Sequence, residues 1–300
     1  MIVRVPPDSP TPAMGPDVSL MIRAACALEA KARKPGNVHP EAAFADSSYA
    51  DFVASAEAIA PILAAAPELR AGRAIFEAVC ATRERCGRNT NLGIVLLMAP
   101  LAMVPRETRL ADGISDVLLQ LTREDADLVY QAIRLAQPAG LGQVEAQDVS
   151  RPPTATLLEV MRLASDRDLI ARQYAENFSL VLELGLPLLS RVADFEQNWE
   201  KAIVELQLEM MARYPDSLIA RKCGADTARE ASHQARAVLN AIRAVSSSAH
   251  DDLRRFDDWL RSDGNRRNPG TTADLIAASL FAAFRDGTVA IPQAALDREN

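Results

Sequence analysis

Residues 266–274 read Arg-Arg-Asn-Pro-Gly-Thr-Thr-Ala-Asp and directly precede an apolar, helix-forming stretch. The first turn of a helix has backbone N–H groups without intrahelical partners, and the helix dipole is positive there. Such a helix start favours anions such as phosphate. We therefore expect Arg267 and the backbone of Gly270, Thr271 and Thr272 to bind an anion. The alternative is an ordinary helix start in which one of the two threonines is the N-cap.

A second basic turn lies near the start of the chain, where residues 31–40 read Lys-Ala-Arg-Lys-Pro-Gly-Asn-Val-His-Pro. The proline ends the preceding helix, and the turn leaves backbone N–H groups beside the cations. Lys34 and Gly36 are therefore candidates for binding the same anion, and Glu29 can face the same cavity. The alternatives are a basic helix C-cap, which complements the helix dipole, and a solvated glutamate.

A third polar turn, residues 87–93, reads Gly-Arg-Asn-Thr-Asn-Leu-Gly and opens a helix that is otherwise almost entirely apolar. Because such a helix should be buried, the polar groups at its start need partners, and a ligand is one candidate. Asn89 and Thr90 are the candidate ligand-binding residues. The alternative is helix capping by one of these two side chains.

A fourth segment begins at Asp216 and contains Arg221 and Lys222 shortly before a glycine. We expect Asp216 to cap a short helix and the two cations to lie at its other end. A solvated, charged turn is the alternative. Elsewhere, Asp168 and Arg172 have the i,i+4 spacing of an ion pair on one helix face.

The composition predicts an all-α protein. Hydrophobic residues make up 49% of the 300 residues, but only 5% of the residues are aromatic; much of the apolar content is alanine and leucine, which are strong helix formers. We expect one bundle-like domain of about ten to twelve helices over residues 17–300. The proline-rich residues 1–16 are expected to be a flexible arm.

Apolar spacing and helix-breaking residues define the expected helices. Pro61 is expected to kink or break the second of them. The predicted helices cover residues 20–32, 49–66, 72–86, 92–103, 110–121, 124–136, 154–165, 167–184, 186–195, 198–214, 225–245, 250–261 and 275–284.

The net charge of −7 argues against nucleic-acid binding, which needs a basic surface. The most apolar stretch, residues 94–104, is too short to cross a membrane, and no signal peptide is evident. Four cysteines without a CxxC pair indicate reduced thiols. We therefore expect a soluble, cytoplasmic protein. Exposed apolar faces on alanine-rich helices allow, but do not require, a homodimer.

The order of the four motifs resembles that of the triphosphoribosyl-dephospho-CoA synthase family. The family's Lys-Pro-Gly turn corresponds to residues 34–38, and its Asn-Thr-x-x-Gly segment to residues 89–93. An Asp-[ST]-x-x-x-Arg-x-x-Gly stretch corresponds to residues 216–224, and a Pro-Gly-x-x-Ala-Asp-Leu segment to residues 269–275. The resemblance covers residues 20–285.

The resemblance implies an all-helical transferase that uses ATP and Mg²⁺ and moves the triphosphoribosyl group to dephospho-CoA with release of adenine. Residues 17–300 would then be its nucleotide-binding catalytic domain. The residues it implies for substrate binding are Lys34, Gly36, Asn89, Thr90, Arg221, Lys222, Arg267, Gly270, Thr271 and Thr272. The implied acid–base residues are Asp216, Asp274 and Glu29. The implied metal ligands are Asp216, Asp274 and Asp46.

Two segments depart from the family pattern. Asn91-Leu92 occupies the place of a His-Lys pair, and residues 42–44 replace a Gly-x-His segment. These departures leave two alternatives open. One is a related enzyme that acts on another phosphorylated cofactor intermediate, such as a one-carbon-carrier precursor. The other is a helical nucleotide- or CoA-binding module without catalysis.

Overall fold

The computed structural model describes residues 17–297, so the arm predicted for residues 1–16 lies outside the described residues. The described chain is helical and contains no β-strand; two isolated β-bridges, His39–Ala42 and Phe44–Ser47, are its only extended pairings. This confirms the all-α prediction. A single domain holds all the helices.

Fifteen α-helices lie within residues 17–297, more than the ten to twelve expected, because short helices separate several of the longer ones. They are α1 (Val18–Lys31), α2 (Tyr49–Ala64), α3 (Ala66–Leu69), α4 (Ala71–Cys86), α5 (Leu92–Met103), α6 (Leu110–Leu119), α7 (Arg123–Ala136), α8 (Leu157–Ala164), α9 (Leu169–Ala175), α10 (Leu186–Ser190), α11 (Phe195–Arg213), α12 (Ser217–Cys223), α13 (Ala225–Arg243), α14 (Ala249–Arg261) and α15 (Gly270–Arg285). A π-helical segment covers Leu180–Gly185, and a 3₁₀ turn covers Gln293–Ala295.

The helix predicted over residues 167–184 is interrupted. Asn177 and Phe178 have φ values of 49° and 61°, which end α9 before the π-helical segment begins. The buried side chain of Gln173 bridges the interruption: it donates to the carbonyl of Leu169 (3.2 Å) and accepts from the N–H of Leu180 (3.1 Å). A buried amide thus provides the hydrogen bonds that the broken helix lacks.

The break that Pro61 was expected to cause, as one of two effects, does not occur. Helix α2 continues through Pro61 to Ala64. Pro61 lies in the last turn, and its side chain is exposed, so its ring displaces no packed neighbour. The prediction of a break at this proline was therefore wrong.

Helices α5 and α15 form the centre of the domain, as the apolar sequence of α5 predicts. Every residue of α5 from Ile94 to Ala102 is buried, and α15 is buried from Leu275 to Arg285. These two helices pack against each other, and α15 also packs against α1 and α12. Because α5 and α15 are central, the polar residues at their N-terminal ends lie inside the molecule.

Candidate functional site

A cavity of about 1110 Å³ opens at the N-terminal ends of α5 and α15. All four sequence motifs contribute to its lining, so the structure brings together segments as far apart in the sequence as Asn37 and Asp274. The motif residues that line it, together with Glu29, Asp46 and Asp168, are Asn37, Arg88, Asn89, Thr90, Asn91, Gly93, Arg221, Lys222, Gly270, Thr271 and Asp274.

Asp274 is the cavity carboxyl with the most unusual environment. It is half-buried, and no hydrogen bond or ion pair holds it within residues 17–297. Its carboxyl group lies against the backbone of α5 at Gly93, where an added Cβ would overlap a carboxyl oxygen. Burial, together with the nearby charges of Glu29 and Asp216, raises the pKa of Asp274 well above its usual range. Asp274 is therefore a carboxyl group that holds a proton at pH values where most aspartates have lost theirs.

Glu29 lines the same cavity and forms an ion pair with Lys34. Nζ of Lys34 lies 3.0 Å from Oε1 of Glu29 and also donates to the backbone carbonyl of Glu29. Lys34 is almost completely buried and does not line the cavity. The lysine predicted to bind phosphate therefore lies behind the cavity wall, where it neutralises Glu29.

Asp216 is fully buried and lies outside the cavity lining. One carboxylate oxygen accepts from the N–H groups of Leu218 (2.8 Å) and Ile219 (3.0 Å), which caps α12 as predicted. The other accepts from the N–H and the hydroxyl of Thr272, both at 2.8 Å. Both oxygens are thus occupied in joining two helix starts, although burial raises the pKa of Asp216.

The start of α15 differs from the sequence prediction. The helix begins at Gly270 with Pro269 as its N-cap, so neither threonine is the N-cap. The N–H of Gly270 donates to the carbonyl of Asn268 (2.9 Å), and the N–H of Thr272 donates to Asp216. Two of the three backbone N–H groups expected to bind phosphate therefore already have partners. Thr271 lines the cavity and accepts from the hydroxyl of Ser217 (3.0 Å).

Gly36 and Arg267 also lie outside the cavity lining, where both contact the region of α14. The N–H of Gly36 donates to Asp257 (2.6 Å). Arg267 lies over the ring of Trp259, 4.6 Å from its centroid, and donates to the Trp259 carbonyl (3.0 Å). These contacts hold the Lys-Pro-Gly turn and the start of α15 against α14.

Arg221 and Lys222 line the cavity. Arg221 pairs with Asp168, which also caps α9, while its Nε is buried without a partner among the described residues. Asp168 was predicted to pair with Arg172 instead. Nζ of Lys222 donates to the carbonyl of Asn265 (2.9 Å), and burial lowers the pKa of this lysine.

The turn before α5 leaves two polar groups without partners. The N-cap of α5 is Asn91, so neither Asn89 nor Thr90 is the N-cap that the sequence suggested. The side chain of Asn89 accepts from the N–H groups of Asn91 (3.3 Å) and Leu92 (3.1 Å). Thr90 Oγ1 and Asn91 Nδ2 are buried, and neither has a hydrogen-bond partner within residues 17–297. Oδ1 of Asn91 accepts from the hydroxyl of Thr82 (3.1 Å), which orients the amide. Both residues line the cavity, and these two atoms are buried in its wall.

The three predicted metal ligands do not lie together. Asp216 is buried behind the lining, whereas Asp46 is exposed at the cavity edge and pairs with the side chain of Asn265. Within residues 17–297, no three His, Cys, Asp or Glu side chains are grouped closely enough to hold a metal ion. Asp216, Asp274 and Asp46 therefore do not fit a shared metal site.

Sequence reasoning missed Asn91 and the role of Asp168 as the partner of Arg221. The sequence does indicate Asn91 as a candidate, because it follows two polar residues and directly precedes a helix that must be buried. The Asp168–Arg221 pair joins residues 53 positions apart, and no local pattern indicates it.

A sequence model of the family described as ATP:dephospho-CoA triphosphoribosyl transferase matches residues 16–291. Proteins named "Probable 2-(5''-triphosphoribosyl)-3'-dephosphocoenzyme-A synthase" from Stutzerimonas stutzeri and Pseudomonas fluorescens (strain Pf0-1) are 34% and 32% identical over 115 and 112 residues. Each match covers 37% of this chain and 38% of the relative, so it spans less than two-fifths of that relative.

The fold also has a solved counterpart. The crystal structure of a "putative triphosphoribosyl-dephospho-coA synthase" from Archaeoglobus fulgidus superposes with a TM-score of 0.60 at 24% sequence identity. The superposition covers 78% of this chain and 99% of that protein, so the two share their fold. None of the helices within residues 17–297 is long and apolar enough to cross a membrane.

Proposed function

Because the chain belongs to the ATP:dephospho-CoA triphosphoribosyl transferase family, we propose that it transfers the 5-triphosphoribosyl group of ATP to the 2′-hydroxyl of 3′-dephospho-CoA and releases adenine. One observation carries this proposal. Residues of all four family motifs line a single cavity, where they surround a carboxyl group with a raised pKa. Perturbed carboxyl groups in cavities are typical of acid–base sites.

The reaction breaks the bond between C1′ of the ATP ribose and N9 of adenine, and it forms a bond from C1′ to the acceptor oxygen. The hydroxyl proton of the acceptor is released, and the departing adenine takes up a proton, so the number of protons is unchanged. Positive charge develops on the ribose as the bond to adenine stretches, as in glycoside hydrolysis. The protein must therefore provide an acid, a carboxylate near the ribose, and groups that bind the triphosphate.

Asp274 is assigned the role of the acid. A general acid must hold its proton at the working pH and lose it as the leaving group departs. The raised pKa of Asp274 meets the first requirement, and its lack of a protein partner leaves it available to adenine.

Glu29 is assigned the role of the carboxylate beside the ribose. It lines the cavity, and Lys34 stabilises its negative charge from behind the wall. A fixed carboxylate can stabilise the positive charge at C1′ and accept the proton of the acceptor hydroxyl. Thr90 and Asn91 have free polar groups for the ribose hydroxyls.

Arg221 and Lys222 are assigned to the triphosphate, with Arg88 at the cavity edge. Five basic and five acidic side chains line the whole cavity, so it has little net charge to offset the four negative charges of ATP. This balance favours a substrate that arrives as its magnesium complex, in which the phosphates hold the ion.

The proposal is tested by incubating the purified protein with Mg-ATP and dephospho-CoA. Chromatography should detect free adenine, and mass spectrometry should detect an acceptor that has gained the triphosphoribosyl group. Release of ADP or phosphate in place of adenine would contradict the proposal.

A second candidate is transfer of the same group to a different phosphorylated acceptor. The observation that favours it is the Asn91-Leu92 pair, which replaces His-Lys. An amide with an unpaired Nδ2 stands in the place of the histidine, and a leucine in the place of the lysine cation. A panel of phosphorylated cofactor intermediates in the adenine-release assay separates the two candidates. Adenine release with another acceptor, and none with dephospho-CoA, would favour the second.

A further inference from the structure

The lining of the cavity changes character from one end to the other. Glu29 of α1 and the motif residues in or beside α5, α12 and α15 form a polar end, where α1, α5 and α12 each pack against α15. The opposite end is formed by α7, α8 and residues 137–149, and we call it the apolar end. Its side chains are mostly aliphatic: Val129, Ile133, Ala136, Leu141, Val144, Leu157, Val160, Met161 and Ala164.

The loop 137–149 is held in place as a wall of the apolar end. The hydroxyl of Tyr130 donates to the carbonyl of Gln147 (2.6 Å), and Arg134 donates to the carbonyl of Val149 (2.6 Å). Asp148 accepts from the N–H of Val144 (2.8 Å) within the loop. The apolar end is therefore enclosed by structure that α7 anchors.

The same loop connects the two ends of the cavity. At Gly140 its backbone passes so close to Arg221 that an added Cβ would lie 2.9 Å from the Arg221 carbonyl oxygen. Gly140 also has a φ of +71°, which favours glycine. The apolar end thus begins beside the cation assigned to the triphosphate and extends away from it along α7 and α8.

The volume is larger than one substrate needs. Single small-molecule sites usually occupy roughly 300–1,000 Å³, whereas this cavity has about 1110 Å³. The triphosphate and the ribose of ATP are polar, and the flat adenine ring is the only part of ATP that suits an aliphatic wall. Dephospho-CoA is different, because its diphosphate carries a long, uncharged pantetheine chain with a dimethyl-substituted carbon, two amides and a thiol.

We infer that the apolar end of the cavity binds the pantetheine chain of the acceptor, while ATP occupies the polar end. This assignment rests on the proposed function. The aliphatic side chains of α7 and α8 contact the carbon chain, and Gln137 and Gln143, which also line the cavity, are placed to bind its amides. The acceptor is thereby recognised through a part of the molecule far from the reacting hydroxyl.

The test combines a substitution that reduces the space in the apolar end with a ligand that lacks the pantetheine chain. Ala164 is a half-buried lining residue of α8, so Ala164→Phe adds bulk to the apolar end. Ala111→Phe is the matched control, because Ala111 is exposed on α6 and does not line the cavity. The ligand without the pantetheine chain is ADP, measured as a competitive inhibitor against dephospho-CoA at saturating ATP.

For the wild type, we expect ADP to bind at least about tenfold more weakly than dephospho-CoA, because the apolar contacts are missing. Ala164→Phe should raise the KM for dephospho-CoA by about tenfold or more and leave the inhibition constant of ADP and the KM for ATP within about twofold. Ala111→Phe should change none of these values. An effect of Ala164→Phe on dephospho-CoA but not on ADP is the result expected if the apolar end binds the pantetheine chain.

Other outcomes overturn the inference in distinguishable ways. Equal effects of Ala164→Phe on dephospho-CoA and ADP, or no effect on either, would show that the pantetheine chain binds elsewhere. If the wild type still transfers the group to dephospho-CoA in that case, the proposed function stands. If the wild type neither binds nor uses dephospho-CoA, both the proposed function and the assignment fail. Circular dichroism of each variant checks that it is folded.

Discussion

The residues predicted to bind the substrates or to act as acid and base fall into two layers of the structure. A cavity layer contains Glu29, Asn89, Thr90, Arg221, Lys222, Gly270, Thr271 and Asp274. A bracing layer behind it contains Lys34, Gly36, Asp216, Arg267 and Thr272, none of which lines the cavity. Two aspartates show the contrast most clearly. Asp216 is held by four hydrogen bonds, whereas Asp274 has no such partner among residues 17–297.

The difference shows that motif residues can support a site without lining its cavity, by holding the residues that do line it in place. Asp216 joins the starts of α12 and α15, and so it fixes Arg221 and Asp274 relative to each other. Lys34 fixes the charge and position of Glu29. If this division is correct, substitutions in the bracing layer change mainly stability, and those in the cavity layer change mainly catalysis.

The largest effect is expected from Lys34→Met. It leaves Glu29 buried without its partner, and loss of one member of a buried ion pair costs about 3–5 kcal/mol of unfolding free energy. Urea denaturation measures this loss. The double variant Lys34→Met/Glu29→Leu should recover most of it, because no unpaired charge remains. A single variant as stable as the wild type would remove Lys34 from the bracing layer.

Asp274→Asn should reduce turnover by about 100-fold, because the amide cannot donate a proton to adenine. In the wild type the rate should fall as the pH rises through the raised pKa of Asp274, and this alkaline decline should be absent from the variant. Adenine release measured across a pH series provides both values. Turnover near the wild-type rate would exclude Asp274 as the acid.

Asp274→Asn should also change how the unfolding free energy depends on pH. The folded-state pKa of Asp274 is higher than the unfolded-state value, so the aspartate favours folding below the unfolded-state pKa. This contribution is lost progressively as the pH rises towards the folded-state pKa. Asp274→Asn should therefore show a flatter dependence of unfolding free energy on pH. An unchanged dependence would contradict the raised pKa.

Asp216→Ala should lower the unfolding free energy by about 2 kcal/mol, because two helix starts lose their capping acceptor. The remaining folded protein should keep turnover of the wild-type order, since Asp216 does not reach the cavity. Thermal denaturation and the adenine-release assay, normalised to folded protein, measure the two effects. A catalytic loss as large as that of Asp274→Asn would place Asp216 in the cavity layer.

The smallest effects come from a matched pair of arginine variants. Arg221→Ala should raise the KM for ATP by about tenfold, because a charge-assisted contact to phosphate is lost. Arg267→Ala should leave that KM unchanged and lower the unfolding free energy by about 1 kcal/mol through loss of its contact with Trp259. If Arg267→Ala raised the KM for ATP as much as Arg221→Ala, the two layers would not be separate.

Much of the fold could be predicted from the sequence. The boundaries of α5 and the helical content follow from local patterns, because helix start and stop signals act over a few residues. The break at Asn177 and Phe178 could not be predicted, because the hydrogen bonds of a buried glutamine compensate for it. The arm predicted for residues 1–16, the cytoplasmic location and the homodimer stay predictions.

The site was predicted as a set of segments. Apolar α5 had to be central, so the polar turn before it had to be buried, and the four motifs could be expected to meet. The sequence by itself therefore determined that the protein is helical and which turns surround the cavity. Only the tertiary structure decided which side chain in each turn faces the cavity and which lies behind it. That choice depends on partners far along the chain, such as Thr272 for Asp216 and Trp259 for Arg267, whereas local sequence patterns report only on near neighbours.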